Sequence, residues 1–229
     1  MKYKFVDIGC CFFDTSLDRF GLDVPGLLVE PVKMFFDILP CSDLVKKVNV
    51  AISDQTGTTS IFVPNALTKP DRYKTKQDVI DLFNNESGQG VGFETTNYGG
   101  STLLEFKKFG IESTPEECQT ITLEELCDQY DITEIDYLKI DVEGYEPVIL
   151  KQLVDLMSTG RLKINCEIMF EYNFLSDKDI LDEYTKTIAD NFNFSAAFVK
   201  EYWNEDIVLT KNVVAHKLDK LTAHRNKIK

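Results

Sequence analysis

The chain has 229 residues, of which 43% are hydrophobic and 28% are charged, a composition typical of a globular protein with one core. The formal net charge is −13; because residues 211–229 carry +5, the rest of the chain carries −18, which disfavours long nucleic acid as a partner. No apolar run is long enough to span a membrane and no secretory signal is visible, so we expect no membrane association and a cytoplasmic location.

Cysteine and histidine usage gives no sign of a zinc site. The six cysteines include no C-x-x-C pair, and the two histidines, His216 and His224, both lie near the end of the sequence. Most of the cysteines lie inside apolar runs, which favours small buried thiols in a reducing compartment.

Short apolar runs predict the first strands, because each ends in glycine, an acid, proline or a turn. The predicted strands of the first part are Phe5–Gly9, Leu27–Glu30, Val48–Ile52 and Thr58–Val63. A helix is expected to begin around Asp14–Ser16, and another carries an apolar face of Phe35, Phe36, Ile38 and Leu39.

Residues 64–102 interrupt this pattern with a glycine-rich insertion. Five glycines fall within residues 88–100, and a short helix is possible over Lys74–Phe83. A segment of this kind inside a compact domain is either a functional loop over a site or plain disorder, and the sequence leaves both readings open.

Alternation of helix and strand resumes after this insertion. Thr122 and Glu125 form a capping box for a helix. The later predicted elements are a strand at Ile135–Ile140, a helix at Val148–Met157, a strand at Leu162–Met169, a helix at Asp179–Phe192, and two antiparallel strands at Phe194–Tyr202 and Ile207–Ala215. We therefore predict one α/β domain over residues 1–229, with a mostly parallel sheet, helices on both faces, a C-terminal antiparallel hairpin and a basic tail at about 217–229.

The first two strand ends predict a nucleoside-bearing cofactor. Gly9 ends the first strand, and Glu30 ends the second 21 residues later. A glycine turn followed about 20 residues later by an acid is typical of adenosine cofactors, since the acid accepts hydrogen bonds from ribose hydroxyls. The G-x-G-x-x-G pattern that cradles a pyrophosphate is missing, which favours S-adenosylmethionine over a dinucleotide.

Four sequence pieces carry a resemblance to a known family. They are V-D-I-G at 6–9, L-V-E-P at 28–31, V-A-I-S-D with T-G at 50–57, and L-K-I-D-V-E-G-Y-E with I-L-K at 138–151. In this order and spacing the chain resembles the FkbM-type methyltransferase family over roughly residues 5–170. The resemblance implies the seven-stranded, Rossmann-like class I methyltransferase fold and S-adenosylmethionine-dependent O-methylation of a hydroxyl on a small molecule or glycan.

The resemblance also implies the cofactor residues. Asp7 and Gly9 line the methionine end, Glu30 takes the ribose, and Asp54 with Ser53 lies near the adenine. The complete set of implied cofactor residues is Asp7, Gly9, Cys10, Glu30, Pro31, Ser53, Asp54 and Asp141.

Three acids are the candidate catalytic residues. We expect Asp141, Glu143 and Glu167 to converge where neighbouring parallel strands end, because Asp141 follows one predicted strand and Glu167 lies near the end of the next. One of them would accept the proton of the acceptor hydroxyl. The same oxygens could hold Mg²⁺ or Ca²⁺, although a metal is not expected.

The sequence also leaves two rival functions, the first of which follows from one departure from the family pattern. Phe13 stands where family members usually have a second glycine. If this change has closed the cofactor slot, the chain is a non-catalytic acidic binding module that keeps the methyltransferase fold. An NAD-dependent oxidoreductase is disfavoured by the missing glycines.

Overall fold

The computed structural model describes residues 1–11, 15–64, 101–104, 113–172, 175–200 and 205–211. The strands are β1 (Lys2–Ile8), β2 (Gly26–Val29), β3 (Val45–Val48), β4 (Ala51–Ile52), β5 (Gly57–Pro64), β6 (Ser113–Ile121), β7 (Glu134–Ile140), β8 (Lys163–Glu171), β9 (Ser195–Lys200) and β10 (Glu205–Thr210). The helices are α1 (Thr15–Phe20), α2 (Lys33–Ile38), α3 (Leu123–Gln129), α4 (Glu146–Ser158) and α5 (Lys178–Phe192).

A main sheet and a small second sheet organise these elements. The main sheet has the strand order β3-β2-β1-β7-β8-β10-β9, and the small sheet has the order β4-β6-β5. In the main sheet β3, β2, β1, β7 and β8 are mutually parallel, whereas β10 is antiparallel to both β8 and β9. The predicted α/β architecture with a mostly parallel sheet is therefore confirmed.

Alternating residues of the strands face two different apolar clusters. Val6 and Leu138 face a large cluster that includes residues of α3, α4 and α5. Phe5 and Tyr137 face a smaller cluster that includes Phe20 of α1. Helices therefore cover both faces of the sheet, which explains why the central strands β1 and β7 are almost continuously buried.

The predicted single strand over 48–52 is wrong, because two strands of different sheets share this segment. β3 ends at Val48 beside Val29, whereas Ala51 begins the pairing of β4 with Thr120 of β6. Between them the side-chain amide of Asn49 donates hydrogen bonds to the backbone oxygens of Glu30 and Pro31, at 2.8 and 2.9 Å. These bonds fix the chain where it leaves the main sheet.

Side-chain caps mark the starts of α3 and α5, and the first of them was predicted. Glu125 N donates to Thr122 Oγ1 at 3.1 Å, and Thr122 N donates to the Glu125 carboxylate at 3.0 Å, so the predicted capping box is confirmed. Asp177 caps α5 through Ile180 N. No helix of the described residues is long and apolar enough to cross a membrane.

Several sequence predictions fall on residues that the structure does not describe. They concern Phe13, the two histidines, most of the insertion at 64–102 and the basic tail at 217–229. The single-domain reading of 1–229 also stays a prediction.

Candidate functional site

The ends of three parallel strands meet tightly around Gly9. Gly9 N donates to Val29 O of β2, and Asp141 N donates to Ile8 O of β1, both at 2.9 Å. Gly9 has φ +80°, and a Cβ placed on it would lie 1.8 Å from the backbone oxygen of Asp141. Glycine is therefore required here by close approach as well as by backbone conformation.

Glu30 ties the turn after β1 to the start of α2. Its Oε2 accepts a hydrogen bond from Cys11 N at 2.7 Å, and its Oε1 accepts one from Val32 N at 2.8 Å. The residue is 3% exposed. Glu30 therefore presents a nearly buried carboxylate, a group that accepts hydrogen bonds from hydroxyls, beside the turn after β1.

A cleft opens beside these strand ends, and we call it the apolar cleft. Four of the predicted cofactor residues line it, namely Gly9, Glu30, Pro31 and Asp141. Most of its other lining residues are apolar: Ile8, Val29, Phe35, Val50, Ala51, Ile52, Ile61, Leu103 and Val142.

Ser101 brings an unsatisfied hydroxyl to the apolar cleft. Thr102 pairs with Phe62 through two backbone hydrogen bonds, of 2.8 and 3.2 Å, which hold Ser101 at the lining. Ser101 Oγ is buried and has no hydrogen-bond partner among the described residues. A buried hydroxyl without a partner is costly, so this atom suits a polar atom of a ligand.

A second cleft adjoins the first, and we call it the polar cleft. Ser53 and Asp54, predicted near the adenine, line this polar cleft together with several threonines. Tyr145 and Leu103 line both clefts. The Tyr145 hydroxyl lies 3.4 Å from Ser53 Oγ, so the side chain of Tyr145 lies between the apolar cleft and the polar cleft.

Two predicted cofactor residues lie behind the lining. Cys10 is 1% exposed, with its thiol directed at Val29 O at 3.6 Å, and the neighbouring Cys11 lines the apolar cleft instead. Asp7 is fully buried, and its Oδ1 lies 4.0 Å from the ammonium of Lys139.

Lys139 is a site residue that the sequence interpretation missed. Its Nζ lies 3.1 Å from Asp141 Oδ2, so it stands between the buried Asp7 and the cleft-lining Asp141. Lysine in an apolar strand reads as an interruption. The available signal was its spacing of two residues from Asp141, which directs both side chains to the same face of the sheet where β7 ends.

Three carboxylates gather at the ends of β7 and β8. Oxygens of Asp141, Glu143 and Glu171, which we call the acid cluster, lie within 4.8 Å of one another. Burial raises the pKa of Glu171, and the charges of Asp141 and Glu143 raise it further. The acid cluster has the oxygen ligands that Mg²⁺ or Ca²⁺ prefers, and it could equally share protons.

The prediction that Glu167 lies near the end of its strand beside Asp141 is wrong. β8 continues to Glu171, and Glu167 pairs in register with Tyr137, four residues before Asp141. At about 3.3 Å per residue, Glu167 therefore lies roughly 13 Å along the strand from the position beside Asp141. Its carboxylate instead accepts two hydrogen bonds from Arg19, at 2.8 and 3.0 Å.

The fold and the site together define a class. A mostly parallel sheet carries a glycine turn after its first strand and an acid after the next, with a cleft outside the strand ends, which is how α/β proteins bind nucleoside cofactors. Residues 9–195 match the Methyltransferase FkbM domain, and the chain belongs to this family of methyltransferases. Comparison with curated proteins and with solved structures gives no significant match.

Proposed function

We propose that the chain binds S-adenosylmethionine in the apolar cleft and transfers its methyl group to a hydroxyl of a small molecule or glycan. The observation that carries this proposal is the position of Gly9, Glu30 and Asp141 around one cleft in a chain of the FkbM family. The strand order, with a single antiparallel strand next to the edge, supports the class I methyltransferase fold.

The lining of the apolar cleft fits this cofactor. Glu30 brings to the lining a carboxylate, the type of group that accepts hydrogen bonds from ribose hydroxyls, and Ser101 offers a buried hydroxyl without a partner among the described residues. Apolar residues, including Phe35 and Ile61, suit an adenine ring. A single glycine in the first turn supports a cofactor without a pyrophosphate.

The chemistry needs positioning more than acid–base power. S-adenosylmethionine, if held in the apolar cleft, would supply a methyl group on a sulfonium, and its sulfur–carbon bond would break as the bond from that carbon to the acceptor oxygen forms. The chain holds the acceptor in line for this displacement. The proton of the hydroxyl passes to a carboxylate of the acid cluster, for which we propose Asp141 and Glu171 with help from Glu143.

Charge restricts the acceptor class. Outside residues 211–229 the chain carries −18. An acceptor rich in phosphates would be repelled by this field, so neutral or cationic acceptors are favoured.

Calorimetric titration tests cofactor binding. We expect S-adenosylmethionine and its demethylated product to bind and NAD not to bind. Glu30→Ala should lose about 1–3 kcal/mol of binding free energy, as for hydrogen bonds to a charged group. Glu117→Gln, at an exposed acid of β6, is the matched control and should bind normally. Unchanged affinity in Glu30→Ala would remove Glu30 from the site.

A transfer assay with labelled cofactor, run across sugars, phenols and short peptides, tests the reaction. Labelled product from a hydroxyl-bearing acceptor is the expected result. Absence of any cofactor binding would instead favour the acidic binding module.

A further inference from the structure

Glu146 is a fully buried carboxylate that makes three short hydrogen bonds. Its Oε1 accepts from Val142 N at 2.9 Å, and its Oε2 accepts from Gly144 N at 2.9 Å and from Ser176 Oγ at 2.7 Å. Burying a carboxylate is costly unless strong hydrogen bonds compensate it. The role of Glu146 therefore follows from the groups that donate these hydrogen bonds.

Two of these bonds go to the turn Asp141–Gly144, which we call the strand-end turn. Its backbone is unusual, because Glu143 has φ +53° and Gly144 has φ +99°. A non-glycine residue in the left-handed region costs about 1 kcal/mol or more, so this turn needs outside support. Glu146 supplies that support by bonding the amides on both sides of Glu143.

The third bond joins the strand-end turn to the segment that follows β8. Ser176 is 7% exposed and lies just before α5. The two segments also touch closely, since a Cβ on Gly144 would lie 2.8 Å from Leu175 Cβ. Glu146 thus connects the loops that follow β7 and β8, the two strands whose ends carry the acid cluster.

We propose that Glu146 is a positioning residue of the candidate site, which holds Asp141 and Glu143 in place by fixing the strand-end turn against Ser176. Asp141 and Val142 of this turn line the apolar cleft, and Glu143 belongs to the acid cluster. Glu146 itself is absent from the described lining, so it acts through the turn. The expected effect on the cofactor rests on the proposed function, whereas the effect on the turn does not.

Glu146→Gln is the direct variant. Its amide group must face at least one backbone N–H that now bonds to a carboxylate oxygen, so one bond is replaced by repulsion. Ser176→Ala is a milder variant that removes one bond and serves if Glu146→Gln fails to fold. Asp136→Asn is the matched control, because it neutralises a nearly buried acid at the opposite end of β7.

Amide hydrogen exchange followed by NMR reads the turn directly. We expect Val142 and Gly144 to exchange at least about tenfold faster in Glu146→Gln, while Leu138 in β7 keeps its protection. Asp136→Asn should leave all three unchanged. Unchanged exchange at Val142 and Gly144 in both Glu146→Gln and Ser176→Ala would overturn the inference.

Cofactor titration supplies a readout that a merely stabilising residue would not move. At a temperature where all variants are folded, S-adenosylmethionine should bind about tenfold more weakly to Glu146→Gln and normally to Asp136→Asn. Equal affinity in the Glu146 variant would also overturn the inference. If the unaltered chain binds no cofactor, the proposed function fails, and the exchange measurement still decides the role of Glu146.

Discussion

The ammonium of Lys139 lies 3.1 Å from Oδ2 of Asp141, at the point where β7 delivers that carboxylate to the apolar cleft. The Lys139 side chain is 9% exposed, and the Asp7 carboxylate behind it is fully buried. The lysine thus supplies a cation between one acid of the interior and one of the cleft. This relationship gives a direct test.

Lys139→Met should destabilise the fold, because it removes the cation beside a buried carboxylate. Removing one partner of a buried charge pair lowers the free energy of unfolding by about 3–5 kcal/mol. Because Asp141 is partly exposed, we expect a loss of about 3 kcal/mol for Lys139→Met. Urea unfolding measures the difference. Lys163→Met, at an exposed pair with Glu134, is the control and should cost at most about 1 kcal/mol. Equal losses in the two variants would contradict a special role for Lys139.

Gly9→Ala should both destabilise the chain and abolish cofactor binding. The added methyl group meets Asp141 O at 1.8 Å, so the ends of β1 and β7 must separate. Gly21→Ala isolates the cost of backbone conformation, because Gly21 has φ +71° and a methyl group added there meets no atom of the described residues within 4 Å. We expect Gly21→Ala to lower the free energy of unfolding by about 1–2 kcal/mol, and Gly9→Ala to lower it by at least about 2 kcal/mol more than that. Thermal unfolding and calorimetric titration of both variants check this.

Glu146 should make stability fall as the pH rises from about 4.5 to about 7. Burial raises the pKa of Glu146 to about 7 from an ordinary value of 4.5. The folded chain therefore binds a proton more tightly than the unfolded chain, and this contribution is complete below the unfolded pKa and lost as the pH passes the folded pKa. At 1.36 kcal/mol per pKa unit the change is on the order of 3 kcal/mol.

The measurement is the unfolding free energy of the unaltered chain and of Glu146→Gln between pH 4 and pH 8. Their difference isolates Glu146 from Glu171, whose pKa burial also raises. A pH-independent difference would show that Glu146 has an ordinary pKa in the folded chain.

Neutralising Glu171 should lower turnover, whereas neutralising Glu167 should lower stability and leave turnover nearly unchanged. Asp141→Asn and Glu171→Gln should each lower turnover about 100-fold if these carboxylates handle the proton of the acceptor. Glu167→Gln should leave turnover within about twofold while losing about 1–3 kcal/mol of stability, because it weakens the paired hydrogen bonds with Arg19. A large loss of turnover in Glu167→Gln with normal stability would restore Glu167 to the site.

The sequence predicted correctly those elements that depend on interactions between residues close together in the chain. The capping box of Thr122 and Glu125 placed the start of α3, and the apolar run before Asp141 placed β7. The spacing of Gly9 and Glu30 placed two residues on one cleft. In each case the deciding interaction lies within a few residues or follows from parallel strand order.

The sequence interpretation missed features that depend on contacts between residues far apart in the chain. β6 was missed because S-T-P-E-E-C-Q-T-I contains proline and acids, and it forms a strand only through pairing with β5 and β4. The end of β8 was set at Met169 instead of Glu171, so the acid of the cluster was misassigned to Glu167. The sequence interpretation assigned no role to Glu146, since only the folded turn buries it.

The position of β10 has a consequence for the order of folding. Strand β9 precedes β10 in the chain but lies outside it, at the edge of the main sheet, where it pairs with β10. During synthesis from the N-terminus, β8 therefore presents an open hydrogen-bonding edge until residues 205–210 emerge and insert beside it. An open edge next to apolar surface invites pairing with other chains. We therefore expect chains that stall or are cleaved before residue 205 to aggregate far more readily than the chain of 229 residues.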